Sequence, residues 1–103
     1  MGWSISHGGT RYSFSYSGVA NLRGHIKKAA SWSQRRTLKP VIDRRSGDPF
    51  AIKPKDAKAI GQALLDIATR LPSTPDDDWA GMARQIGQSA LRAAQANEPW
   101  KWS

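Results

Sequence analysis

Large and small residues alternate near the start of the chain, and this pattern predicts two β-strands. Residues 3–7 (WSISH) and 12–16 (YSFSY) each place their large side chains on one face, as half-buried strands do. Gly8-Gly9 between them favours a turn. We therefore predict an N-terminal hairpin.

The last residues, "EPWKWS" (98–103), admit two interpretations. Trp100 and Trp102 could form an exposed aromatic clamp for a ligand, or they could belong to a last strand that completes the core. Both tryptophans lie on one face of an extended segment, and Trp3 and Ile5 show the same spacing. This similarity favours a core-closing strand that pairs with the N-terminal strand.

Apolar residues at helical spacing predict three helices, at about residues 18–31, 54–71 and 74–97. Ser17 would cap the first helix, and Pro54 would take the first position of the second. Thr74 would cap the third, with the acidic run 76–78 in a first turn where the helix dipole favours negative charge. Gly61 lies on the buried stripe of the second helix, where it would permit close approach by another element.

For residues 31–55 we predict irregular chain followed by a second hairpin. Its strands would be 41–43 and 49–52, each preceded or begun by a proline and joined through the turn sequence "RRSGD". Residues 1–103 are then one domain with an α+β fold. Three helices pack on a small, mainly antiparallel sheet that pairs the N- and C-terminal strands.

Composition excludes several kinds of chemistry. The chain contains no cysteine, which rules out disulfides, a thiol nucleophile and a thiolate metal site. His7 and His25 share no helical spacing, and the aspartates at 76–78 lack the glycine and glutamate of a calcium loop. There is no G-x-S-x-G motif, and "SHGG" at residues 6–9 is better explained as a turn. We therefore expect that the protein is not an enzyme and that it binds neither a metal nor another cofactor.

Targeting features are also missing from the sequence. A membrane-spanning helix needs about 18 to 20 apolar residues, and no apolar run in the sequence approaches that length. The first residues have neither the basic nor the apolar region of a secretory signal. With 39% apolar and 23% charged residues, we expect a folded cytoplasmic protein that does not contact a membrane.

Positive charge is the strongest compositional feature, and it is concentrated in the first half of the chain. The formal net charge is +8. Residues 1–55 contain eleven lysines and arginines and two aspartates. Residues 56–103 contain five lysines and arginines and six acidic residues. This asymmetry indicates an anionic partner, most commonly nucleic acid, with a merely solvated basic face as the equally weighted alternative.

The candidate binding residues are ten cations and one tryptophan: Arg23, Lys27, Lys28, Trp32, Arg35, Arg36, Lys39, Arg44, Arg45, Lys53 and Lys55. Trp32 could stack on an unpaired base or fill the core after a helix. Arg44 and Arg45 could contact phosphate from a hairpin tip or pair with Asp43 and Asp48. No helix-turn-helix or ribonucleoprotein motif is apparent, so nucleic-acid binding would depend on backbone contacts.

Three motifs in the same order, "MGWSISHGG", "RRSGDPFAI" and "EPWKWS", span nearly the whole chain. With them the chain resembles a family of small proteins of unknown function from Streptomyces and related actinobacteria. The resemblance implies a single-domain cytoplasmic bacterial protein and supplies no catalytic residues.

We therefore weigh two functions. The first is a non-enzymatic nucleic-acid-binding protein, an antitoxin or regulator, with DNA favoured over RNA as the ligand. The second is a protein–protein inhibitor of the antitoxin or immunity type, whose basic face docks on an acidic cleft of a toxin or enzyme.

Overall fold

The computed structural model describes residues 2–7, 10–43, 49–76 and 78–103. The elements they form are, in chain order, β1 Gly2–His7, β2 Thr10–Ser15, α1 Tyr16–Ala29, α2 Trp32–Ile42, β3 Phe50–Ile52, α3 Pro54–Ala68, α4 Trp79–Gln95 and β4 Trp100–Trp102. None of the helices in these ranges combines the length and the apolar character that crossing a bilayer requires.

The strands form one antiparallel sheet in the order β2-β1-β4-β3. Strand β4 lies inside the sheet, since Trp102 is opposite Ile5 of β1 on one side and Phe50 of β3 on the other. Backbone hydrogen bonds between Ser4 and Ser103, of 2.7 and 2.8 Å, extend the pairing of β1 with β4. The last residues of the chain are therefore held between two other strands.

One face of this sheet carries aromatic residues into the core. Trp3, Ile5, Trp100 and Trp102 are buried, whereas Lys101 between the last two is exposed. The Trp102 ring packs edge-on against Trp3 and Trp100, at centroid distances of 5.6 and 5.4 Å. The interpretation of this segment as an exposed clamp is therefore wrong.

Helices α3 and α4 are the most extensively packed pair of elements. Their buried residues are Ala57, Ile60, Gly61, Leu64, Ile67 and Ala68 in α3, and Ala80, Ala83, Ile86, Gly87, Ser89, Ala90 and Ala93 in α4. A Cβ on Gly61 would lie 2.8 Å from the carbonyl oxygen of Gly87. Gly61 therefore permits the close approach of α4 to α3. Buried Ser89 accepts a 3.1 Å hydrogen bond from the indole Nε1 of Trp100, which joins α4 to β4.

The prediction of three helices on the sheet is wrong, because residues 32–42 form a fourth helix rather than irregular chain and a strand. Leu38, Val41 and Ile42 are buried on one side of this helix, at the i, i+3, i+4 spacing of a helical face. Pro40 lies in the last turn of this helix, where it lacks the N–H that would donate to the backbone carbonyl of Arg36. Strand β3 pairs with β4 instead of with residues 41–43.

Two helices begin at residues other than those predicted. Ser15 caps α1 by accepting from the backbone N–H of Gly18 at 3.0 Å, in place of the predicted Ser17. Asp78 caps α4 by accepting from Gly81 N–H at 2.9 Å, in place of the predicted Thr74. The turn predicted at residues 8–9, the "RRSGD" turn at 44–48 and the middle aspartate of the acidic run fall outside the described residues.

Candidate functional site

Helix α2 displays a stripe of basic and aromatic residues to solvent. Trp32, Arg35, Arg36 and Lys39 are all exposed, and their i, i+3, i+4, i+7 spacing places them on one helical face. The buried residues of the helix lie on a different side, toward the core. We call these four residues the α2 stripe. Burial of one side of α2 therefore determines that the other side presents three cations and an indole together.

Trp32 is 76% exposed, and it is the one large hydrophobic side chain in the described part of the chain that is exposed. The guanidinium carbon of Arg36 lies 5.6 Å from the centre of the Trp32 ring, which is the distance of a cation–π contact. The alternative in which Trp32 fills the core is thus wrong. The indole stands at the first position of α2, directly after the N-cap Ser31.

The C-terminal part of α1 lies beside the α2 stripe. A guanidinium nitrogen of Arg35 donates a hydrogen bond to the backbone carbonyl of Lys27. The Lys27 ammonium lies 3.5 Å from the carboxylate of Asp43, the C-cap of α2, and both side chains are about half exposed. Lys27 and Arg35, predicted site residues on two different helices, are therefore neighbours. Asp43 offsets part of their charge.

A hydrogen-bond network fixes the first turn of α2 against α3. The amide Nε2 of Gln34 donates to Asp66 at 2.5 Å, and Arg70 donates to Asp66 at 3.0 Å and to Gln34 Oε1 at 2.9 Å. Hydrogen bonds from Arg70 and Gln34, followed by the charge of Arg70, lower the pKa of the Asp66 carboxyl from its ordinary value. The network holds the helix turn that carries Trp32.

Gln34 also closes a capping box with Ser31: each side chain accepts a hydrogen bond from the backbone N–H of the other residue. The S-x-x-Q pattern of residues 31–34 is a signature of a helix start, and it is the sequence signal that could have revealed α2. Sequence reasoning also missed Gln34 as the residue that positions the α2 stripe.

The remaining predicted site residues differ in how exposed their side chains are to solvent. Lys28 of α1 is exposed, as are Lys53 and Lys55 at the start of α3, whereas Arg23 is half-buried. Arg44 and Arg45 fall outside the described residues, so their predicted phosphate contact stays a prediction.

A cleft of about 350 Å³ separates α2 from α3 beside the α2 stripe. Arg36, Thr37 and Pro40 of α2 line one side, and Asp56, Ala59 and Ile60 of α3 line the other. The single acid in this lining lies in the first turn of α3, where the helix dipole favours a carboxylate. The cleft therefore borders the α2 stripe, and its one carboxylate does not outweigh the positive charge of the stripe.

Two arginines outside the predicted site have structural partners. Arg70 belongs to the network with Asp66. Arg92 of α4 lies over the ring of Tyr12, 5.4 Å from its centre, and donates a hydrogen bond to the Tyr12 hydroxyl. These guanidinium groups join secondary-structure elements, whereas Arg36 and Lys39 point into solvent from a single helix.

Residues 6–103 match the sequence model of a protein family, DUF7739, which is described as a domain of unknown function. The chain therefore belongs to this family. The chain has no match among curated proteins or among solved structures.

Proposed function

We propose that this member of the DUF7739 family is a non-enzymatic protein that binds nucleic acid through the α2 stripe, together with the exposed cations of α1 and the start of α3. The observation that carries the proposal is the exposed face of α2, where Arg35, Arg36 and Lys39 accompany an open tryptophan. Positive charge clustered on one helix, in a chain with a net charge of +8, is the electrostatic footprint of a phosphate-binding surface.

Binding would be dominated by phosphate contacts. The stripe runs over about 10 Å of helix, at about 1.5 Å per residue, and its cations lie at successive turns. The single amide side chain of α2, Gln34, already uses its Nε2 and Oε1 atoms within the protein. It is therefore not available to read adenine, the base that an amide side chain recognises. Because the sequence has no base-reading motif either, we expect little sequence preference.

DNA is the ligand we propose first, with RNA included in the same test. A role as an antitoxin or regulator in the bacterial cytoplasm belongs to the proposal, as does the actinobacterial origin. The support for that origin is the set of three motifs at the start, middle and end of the chain.

A binding titration tests the proposal directly. Labelled DNA and RNA, duplex and single-stranded, are titrated with the protein, and the anisotropy or gel shift is followed. A protein that contacts about six phosphates loses about 10³-fold in affinity between 50 and 200 mM salt. Absence of binding to every probe at low salt would overturn the proposed function.

Charge reversal with a matched control locates the binding surface. Arg35→Glu/Lys39→Glu reverses two cations of the α2 stripe, whereas Arg84→Glu/Lys101→Glu makes the same change in net charge at exposed positions of α4 and β4. We expect the first pair to abolish binding and the second to weaken it only slightly. Equal losses would show that net charge rather than α2 determines the affinity.

A protein partner is the second candidate function. Tryptophan and arginine are the residues most enriched at the energetic centres of protein interfaces, and Trp32 and Arg36 are exposed side by side. An acidic cleft of a toxin or enzyme would complement this surface. Co-purification with the product of the adjacent gene tests this function. A complex that survives Arg35→Glu/Lys39→Glu would contradict it.

A further inference from the structure

We propose that the nucleic acid bound by the α2 stripe is single-stranded and that one of its unpaired bases stacks on Trp32. This inference rests on the proposed function and specifies its ligand. The observation behind it is the position of Trp32, which is 76% exposed within a stripe whose other members are all cations.

A single exposed hydrophobic side chain is ordinary on a protein surface, so exposure alone does not define a site. Trp32 differs because its neighbours at i+3, i+4 and i+7 are Arg35, Arg36 and Lys39. The Arg36 guanidinium lies 5.6 Å from the centre of the indole. A flat aromatic ring beside a row of cations is the arrangement with which proteins hold single strands: the cations follow the phosphates and the ring receives a base.

The surroundings of Trp32 keep the indole in place for stacking. The capping box of Ser31 and Gln34 defines the helix turn on which it stands. Asp66 and Arg70 tie Gln34 to the end of α3. Because these contacts hold the backbone of the turn, stacking requires the ordering of the Trp32 side chain alone, which lowers the entropic cost of binding.

A duplex would leave the indole without a matching surface. In B-DNA the faces of the bases are stacked on one another, and a protein reaches only their edges and the phosphates. The side chain of Trp32 has one N–H donor and no acceptor, so it reads edges poorly. An unpaired base offers the π-face that the indole can cover, whatever its identity. We therefore expect tolerance of sequence together with a preference for single strands.

Three probes of equal length distinguish stacking from charge. They are a labelled oligothymidine of about 20 nucleotides, long enough to exceed a typical single-strand site, an abasic strand with the same phosphates, and a duplex. We expect the protein to bind oligothymidine about 5- to 150-fold more tightly than the abasic strand, the range of one stacked base. Trp32→Ala should remove this difference, because it should lower the affinity for oligothymidine much more than the affinity for the abasic strand.

Trp32→Phe serves as the conservative variant and should restore part of the preference for oligothymidine. Thermal melting of both variants verifies folding, which we expect to be unaffected because the side chain is exposed. Equal affinity of the intact protein for all three probes would overturn this inference and leave the proposed function standing. The inference would also be overturned if Trp32→Ala lowered the affinity for the abasic strand as much as the affinity for oligothymidine. If the protein bound none of the three probes, both this inference and the proposed function would be overturned.

Discussion

Gly61 of α3 and Gly87 of α4 face each other where their helices cross, and a Cβ on Gly61 would lie 2.8 Å from the carbonyl oxygen of Gly87. The same Cβ would also lie 2.8 Å from Cγ of Leu91. A carbonyl oxygen of a helix backbone cannot rotate away as the end of a side chain can. The packing of α3 on α4 therefore depends on the absence of a side chain at position 61.

Gly61→Ala should destabilise the protein by about 1–3 kcal/mol, the usual effect of forcing an extra group into a packed core. Gly24→Ala is the matched control, since Gly24 is exposed in α1 and a Cβ there would meet no atom within 4 Å. Alanine is the better helix former, so this control should stabilise by about 0.5–1 kcal/mol. Urea unfolding measures both. Stabilisation by both variants would contradict the close crossing.

Trp102→Ala should destabilise the protein by about 3–5 kcal/mol, because it removes a buried indole packed among other aromatic rings. Lys101→Ala is the control, since its side chain is exposed on the other face of β4. It should melt at nearly the temperature of the unmodified protein. Deletion of residues 100–103 should be more damaging than Trp102→Ala, because β3 would lose its neighbouring strand. An unchanged melting curve for the deletion would show that β4 does not close the core.

Asp78→Ala should lower the melting temperature near neutral pH, and the difference should disappear in acid. The Ser73 hydroxyl, at 2.7 Å, and then the Gly81 N–H lower the pKa of the Asp78 carboxyl below its ordinary value of 3.8. A lowered pKa means that the ionised carboxylate stabilises the fold above about pH 3.8. That stability is lost as the pH falls through the lowered pKa. Melting curves of both proteins from pH 7 to pH 2 measure this, and a difference that persists at the lowest pH would contradict it.

Asp43→Asn should raise the affinity for nucleic acid several-fold at low salt with little change in stability. The substitution removes the carboxylate that lies 3.5 Å from the Lys27 ammonium beside the α2 stripe. An exposed ion pair of this kind stabilises a fold by at most about 1 kcal/mol. Asp76→Asn makes the same change in charge at an exposed position before α4. Equal effects of the two substitutions on binding would argue against the placement of the site on α2.

The prediction of three helices failed at α2 for reasons that can be named. Val41 and Ile42 are β-branched residues after a proline, a pattern typical of an edge strand. In the structure they face the core together with Leu38, and a helix satisfies that burial. The start of the helix depends on Gln34 and on its partner Asp66, 32 residues away. Periodicity within a short window does not reveal such a contact.

The sequence alone predicted α3, α4 and the alternating strands at both ends of the chain, because periods of 3.6 and 2 are local properties that decide which face is buried. It also determined the excess of positive charge between Arg23 and Lys55. The way in which that charge is presented depends on tertiary packing. Packing of Leu38, Val41 and Ile42 fixes the rotation of α2 about its axis, and this rotation turns Trp32 and its basic neighbours toward solvent.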